Sequence, residues 1–142
     1  MISERISAAL RHRVRERANG LCEYCKAPIH LSTAAFHCDH VLPRKAAGKT
    51  DLSNLAWACP WCNTPKHTKT HAQDPQTGQQ APLFNPRRQK WQQHFVWSDD
   101  LLSIVGRTQT GRATVEALNM NRPEHVNRRK ILRIAGEHPP PV

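Results

Sequence analysis

Apolar positions recur at helical spacing at the start of the chain, where Ile2, Ile6, Leu10 and Val14 form one stripe; Ser3 is placed to cap it and Asn19-Gly20 to stop it. A helix over 2–18 is predicted, its other faces crowded by Arg5, Arg11, Arg13, Arg15 and Arg17 as a solvated surface or as phosphate contacts. Residues 26–35 carry no period and read as a loop, with His30 an ordinary surface histidine. The run 36–42 predicts a short strand that Pro43 stops, with His37 and Asp39 on one face and Phe36, Cys38 and His40 on the other. A basic loop, 44–50, turns at Gly48 and leads through Asn54 into a second strand from Leu55. A short helix is predicted over 63–71, with Pro65 in its first turn. The Gln- and Pro-rich stretch 73–90 reads as an extended arm pinned by Leu83 and Phe84, and 91–105 as a hairpin turning at Ser98-Asp99-Asp100. A helix over 110–120 packs through Ala113, Ala117 and Leu118. Asn121 to Glu124 resembles a cap box for a last helix that Gly136 ends, made basic by Arg128, Arg129, Lys130 and Arg133, with a frayed tail after His138.

Short strand pairs between terminal helices make the expected class α+β. The expected organisation is a single domain over 1–142: a basic helix to residue 20, a core over 21–71, the arm over 72–90, and a hairpin with helices over 91–142. A chain of 142 residues has a modest core that gains from a metal staple.

Two Cys-x-x-Cys pairs, Cys22/Cys25 and Cys59/Cys62, change that picture. Each two-residue gap lets a tight knuckle present both sulfurs to one ion, so four thiolates close a tetrahedral site around Zn²⁺. Such a site is structural and has no open position. Cys38 has no paired neighbour and reads as a small buried side chain. The gap of 33 residues between the pairs exceeds that of a simple zinc ribbon. The formal charge of +10 points to a polyanionic partner, nucleic acid first, since Lys and Arg on phosphates release counterions. No apolar run approaches the roughly 18 residues of a membrane span, and the arginine-rich start lacks a signal peptide's apolar region. Paired cysteines as metal ligands then suggest a reducing, cytoplasmic setting.

Within the gap lie Asp39-His40-Val41-Leu42-Pro43, a basic glycine-containing stretch and Asn54-Leu55; Cys59-x-x-Cys62-Asn63-x-x-Lys66 follows. Together these residues resemble the HNH endonucleases of the ββα-metal (His-Me finger) type, in the subgroup with a zinc-clamped hairpin. The resemblance is strong over 21–67 and weaker through the stretches 74–91 and 111–123. It implies a ββα core clamped by the four cysteines and a metal-dependent endonuclease that nicks or cuts DNA, taken first as double-stranded. His40 would be the general base, an imidazole with an ordinary pKa of ~6.5 that takes a proton from water. Asn54 would bond across the hairpin and steady the loop. Asp39 and Asn63 would offer oxygens to Mg²⁺ or Mn²⁺. Family members with histidine at the Asn63 position use it as a metal ligand, so this chain is an H-N-N variant. His67, a helical turn on, and His37 are further candidates for that ion, each with a plain surface role as the alternative. Lys66 matches the family lysine expected on phosphate, and Arg44, Lys45, Lys69, Arg87 and Arg88 are the other candidate nucleic-acid contacts. Two other readings stand beside the enzyme: a non-catalytic zinc-stabilised nucleic-acid-binding module, and a zinc module for protein interaction. Monomer and homodimer are both open.

Overall fold

The computed structural model describes residues 6–141, in two compact units: the chain to Thr70 together with Asn85–Arg88, and His71–Phe84 together with the chain from Gln89. Helices and small antiparallel strand pairs make up both, as the α+β expectation required.

In the first unit, helix α1 spans Ala8–Arg17 and is capped by Ser7, whose hydroxyl accepts from the Leu10 N–H. The start expected at Ile2, the Ser3 cap and Arg5 lie outside the described residues. The stop is as the sequence implied: Asn19 and Gly20 have φ of 55° and 70°. Of the expected stripe, Val14 is fully buried. The arginines are not all surface charge: Arg11 donates to the Phe36 carbonyl and stacks over Trp57, its guanidinium 5.0 Å from the ring centroid. Arg17 donates to the Leu52 and Leu55 carbonyls at 2.7 and 2.6 Å. A guanidinium's planar fork of donors suits such carbonyls, which helical periodicity cannot foresee.

The expected loop over 26–35 contains one 3₁₀ turn, Ile29–Leu31. Strand β1 (His37–His40) pairs antiparallel with β2 (Leu55–Ala58), His37 facing Ala58 and His40 facing Leu55. β2 is buried along its whole length, which its near-continuous apolar run LAWA explains. Phe36 and Trp57 stack 5.8 Å apart in this core. Cys38 is half-buried, less enclosed than expected. Helix α2 spans Pro60–Lys66, three residues earlier than expected. Pro60 takes the first-turn position, where its missing N–H costs nothing, and Pro65 falls in the last turn.

In the second unit, the segment expected as an arm contains a hairpin: β3 (His71–Gln73) pairs antiparallel with β4 (Gln80–Pro82). The turn is built by Asp74, whose carboxylate accepts from the Gln76 N–H and the Thr77 hydroxyl, and by Gly78 at φ 75°. Asp74 is itself buried against Arg112, whose Nε and Nη2 donate to its two oxygens at 3.0 and 2.9 Å. That partner, 38 residues away, is why a polar stretch folds into a strand pair. Leu83 and Phe84 are buried, as expected of pins.

A one-turn helix α3 (Trp91–His94) precedes β5 (Phe95–Trp97), which pairs with β6 (Ile104–Gly106) across the expected turn. Helix α4 (Gln109–Ala117) packs on β3, β4 and β6 and is capped by Thr108. Helix α5 spans Pro123–Ile134 and ends before Gly136 at φ 75°. Asn121 does not cap α5: its amide bonds both backbone groups of Ile104, at 2.8 and 2.9 Å. Arg129 is no surface charge, for it is buried and donates to the carbonyls of Leu102 and Met120 and to Asn121 Oδ1. The tail is held at its start, where His138 donates to the Leu101 carbonyl and packs edge-on to Trp97, 4.5 Å between centroids. No helix of the described residues is long and apolar enough to cross a membrane.

Candidate metal clamp and nuclease site

Cys22 and Cys25 come from the turn after α1, and Cys59 and Cys62 from the end of β2 and the first turn of α2. All four sulfurs are buried and lie within 4.8 Å of one another, Cys25 and Cys59 at 3.6 Å. Zn–S bonds of ~2.3 Å in a tetrahedron place sulfurs about 3.8 Å apart, so a cluster of this size suits one shared metal ion. Hydrogen bonds from the other three sulfurs hold the Cys25 thiol well below its usual value, while those from Cys22, Cys25 and Cys59 push Cys62 well above it. Four acids this close ionise together only around a shared cation.

Glu23, between the first pair, ties the knuckle to the hairpin. Its carboxylate accepts from the Trp57 N–H at 2.7 Å and pairs with Arg87. Burial pushes its carboxyl up to about 7, opposed by that N–H. Arg87 also donates to the Leu55 carbonyl at 3.0 Å. Its expected place on phosphate is therefore corrected: it fastens the hairpin.

The loop between the strands is closed by Asn54. Its Oδ1 accepts from the Leu42 N–H, and its Nδ2 donates to the Leu42 and Lys49 carbonyls, each at 2.9 Å. Gly48 is required here by close approach, since a Cβ at that position would stand 1.7 Å from the Leu42 carbonyl oxygen. The loop carries Thr50, whose hydroxyl lies 2.8 Å from Nε2 of the half-buried His40.

Asp39 projects to the opposite face of β1 and is buried. Its Oδ2 accepts from the Tyr24 hydroxyl at 2.7 Å and stands 2.9 Å from Lys66 Nζ, with Oδ1 at 3.2 Å from the same nitrogen. Burial raises the Asp39 carboxyl pKa against the lowering by Lys66. The Lys66 ammonium also reaches the carbonyls of His40 and Val41, at 3.3 and 3.4 Å. Lys66 is fully buried, which corrects the phosphate contact expected of it. The carboxylate already holds a cation, and a divalent ion does not fit on the same oxygens beside it.

Asn63 is half-buried on α2, and its carbonyl accepts from the His67 N–H. His67 is exposed just past the end of α2, at φ 48°, so it does not continue the helical face of Asn63 as expected. His37, Arg44, Lys45, Lys69 and Arg88 are exposed. Arg88 and Lys49 line a recess of about 390 Å³ beside Asn54 and Gly48. Tyr24, Thr50 and Glu23 went unassigned in the sequence, because nothing local distinguishes a residue whose partner lies 10 to 34 positions away.

Residues 22–69, about a third of the chain, match the family model described as HNH endonuclease. Neither the curated proteins nor the solved structures gave a match. The match spans both cysteine pairs, the β1–β2 hairpin and α2, so this segment of the chain is similar to the HNH endonucleases.

Proposed function

We propose that this segment hydrolyses phosphodiester bonds in DNA, with His40 as general base. The observation that carries the reading is the placement of His40: a half-buried imidazole held by Thr50 on a loop that Asn54 fastens. The Thr50 hydroxyl at Nε2 fixes the ring's orientation, and a neutral imidazole is the form that accepts a proton from water. The water oxygen then bonds to phosphorus while the ester bond to the departing oxygen breaks, its electron pair leaving with that oxygen. Asn54 acts by position, setting the loop that orients the base. Exposed Arg44, Lys45, Lys69 and Arg88 would lie along the phosphates, positioning the duplex without reading bases.

Zn²⁺ on the four sulfurs is the structural ion of this reading. Mg²⁺ or Mn²⁺ on oxygens of Asp39 and Asn63 is the catalytic ion that it inherits from the family, and Asp39 as paired with Lys66 does not fit it. A monomer with one site nicks, whereas cutting both strands asks for a homodimer. A cytoplasmic setting belongs to the same proposal.

That pairing favours a second reading, a zinc-stabilised nucleic-acid-binding module without catalysis. Supercoiled plasmid incubated with Mg²⁺, Mn²⁺ or EDTA separates the two. Wild type with divalent metal should relax the plasmid and His40→Ala should not, while both bind DNA in a salt-sensitive way. Binding by wild type without metal-dependent cutting would establish the module.

A further inference from the structure

The loop that Asn54 closes also walls the recess of about 390 Å³, whose lining mixes two chemistries. Leu42 and Ala47 present an apolar wall, with Leu42 42 % exposed, while Lys49 and Arg88 present two cations. Among the described residues neither cation pairs with a carboxylate, and none of the lining residues is acidic. The Asp51 carboxylate, close enough to Lys49 to feel its charge, is taken by the N–H and hydroxyl of Ser53. Asn54 spends its amide on the loop backbone, so it shapes the recess and does not compete for a ligand. Arg88 also lines an adjoining recess of about 600 Å³, where the Leu52 and Leu55 carbonyls fix Arg17 and Glu23 already neutralises Arg87. Carbonyls do not cancel a charge as a carboxylate does, so Arg17 and Arg88 carry the positive field onward.

An apolar wall beside cations that no carboxylate neutralises suits one nucleotide unit: aliphatic side chains cover the face of a base, and the cations take its phosphate. A base inside a duplex keeps its faces stacked on its neighbours and has none to offer. We infer that this recess is a subsite for an unpaired nucleotide, its base against Leu42 and Ala47 and its phosphate between Lys49 and Arg88. The inference rests on nucleic acid as the partner and adds to that reading a substrate class, DNA with unpaired nucleotides at a single-stranded tail, gap or branch. The next phosphate along the strand follows onto Arg17. Lys49 directly precedes Thr50, whose hydroxyl holds His40, so a strand seated here runs along the loop that positions the proposed base.

Fluorescence anisotropy with zinc-loaded protein and no added divalent cation tests this apart from hydrolysis. The two probes are a duplex with a single-stranded oligothymidylate tail and a blunt duplex with the same number of phosphates. Wild type should bind the tailed duplex about fivefold more tightly, the order expected from covering the exposed part of one leucine. Leu42→Ser should lose that preference while keeping the zinc content and circular dichroism of wild type, and Leu42→Met should retain it. Ala47→Asn, which suits the left-handed backbone at that position, is an independent variant of the same wall and should lose the preference as well. Lys49→Gln and Arg88→Gln should each weaken binding of the tailed duplex and lower its salt dependence by about one phosphate contact. Equal affinity of wild type for the two duplexes, or a preference that survives both Leu42→Ser and Ala47→Asn, overturns the proposal even if plasmid is cut. Failure to bind either duplex removes the nucleic-acid reading and the proposal with it. A tail preference lost in the wall variants, without metal-dependent cutting of plasmid, removes hydrolysis alone and upholds the subsite.

Discussion

Replacing Asn54 by alanine removes three hydrogen bonds, all at 2.9 Å, from the loop that carries Thr50 toward His40. Neutral hydrogen bonds contribute about 0.5–1.5 kcal/mol each, and the lower half of that range applies because solvent reaches these groups, giving about 1.5–3 kcal/mol for the set. Since ~1.4 kcal/mol is tenfold in an equilibrium, the Leu42 amide, which donates to Asn54 Oδ1, should exchange with solvent about 10- to 100-fold faster. The Val41 amide donates to the backbone carbonyl of Asn54, a bond that the substitution leaves in place, so it should change much less. Gly48→Ala tests the same loop from the other side. Its added Cβ would lie 1.7 Å from the Leu42 oxygen and 2.9 Å from Asn54 Nδ2, so backbone must move and the same Leu42 amide should lose protection. Hydrogen exchange by NMR on the zinc-loaded protein reads all three. Leu42 exchange within twofold of wild type in both variants would refute the reasoning, whatever happens to activity.

Two further outcomes are expected. Cys59→Ser should lose its bound zinc and unfold the first unit, because binding and folding are coupled in so small a clamped unit; zinc analysis and circular dichroism check it, and a folded, zinc-retaining variant would contradict it. The bonds from Arg112 hold Asp74 below the usual carboxylate value, so unfolding takes up a proton there once pH drops under the unfolded value of ~3.9. The stability that Asp74 contributes is thus complete above about pH 4 and lost as pH falls below it; thermal unfolding against pH should show that loss in wild type and a flatter profile in Asp74→Asn.

The four-cysteine cluster was legible because its information is local. Two cysteines three positions apart must make a knuckle, and two knuckles must meet for either to be useful, so spacing alone places four sulfurs. Asn54 was singled out by resemblance, and in the structure it makes three bonds to the backbone of Leu42 and Lys49. The hairpin of the HNH segment followed from alternation at Phe36–His40 and from the apolar run at Leu55–Ala58. The β3–β4 hairpin was hidden, since its strands are three residues each and its turn is held by Arg112 from a distant helix.

Charged side chains divide most sharply between what the chain announces and what the fold decides. Lys66, Arg87 and Arg129 read as surface cations from their type, yet each is drawn inward by acceptors that the fold supplies: Asp39, Glu23 and the carbonyls of Leu102 and Met120. Burying such a charge is unfavourable until a partner neutralises it, and the carboxylate partners here lie 27 and 64 residues away. Residue type and spacing determine which groups are capable of binding metal, phosphate or a proton. Which of them stay free to do so is settled only when the folded chain brings distant acceptors within about 3 Å of distant donors.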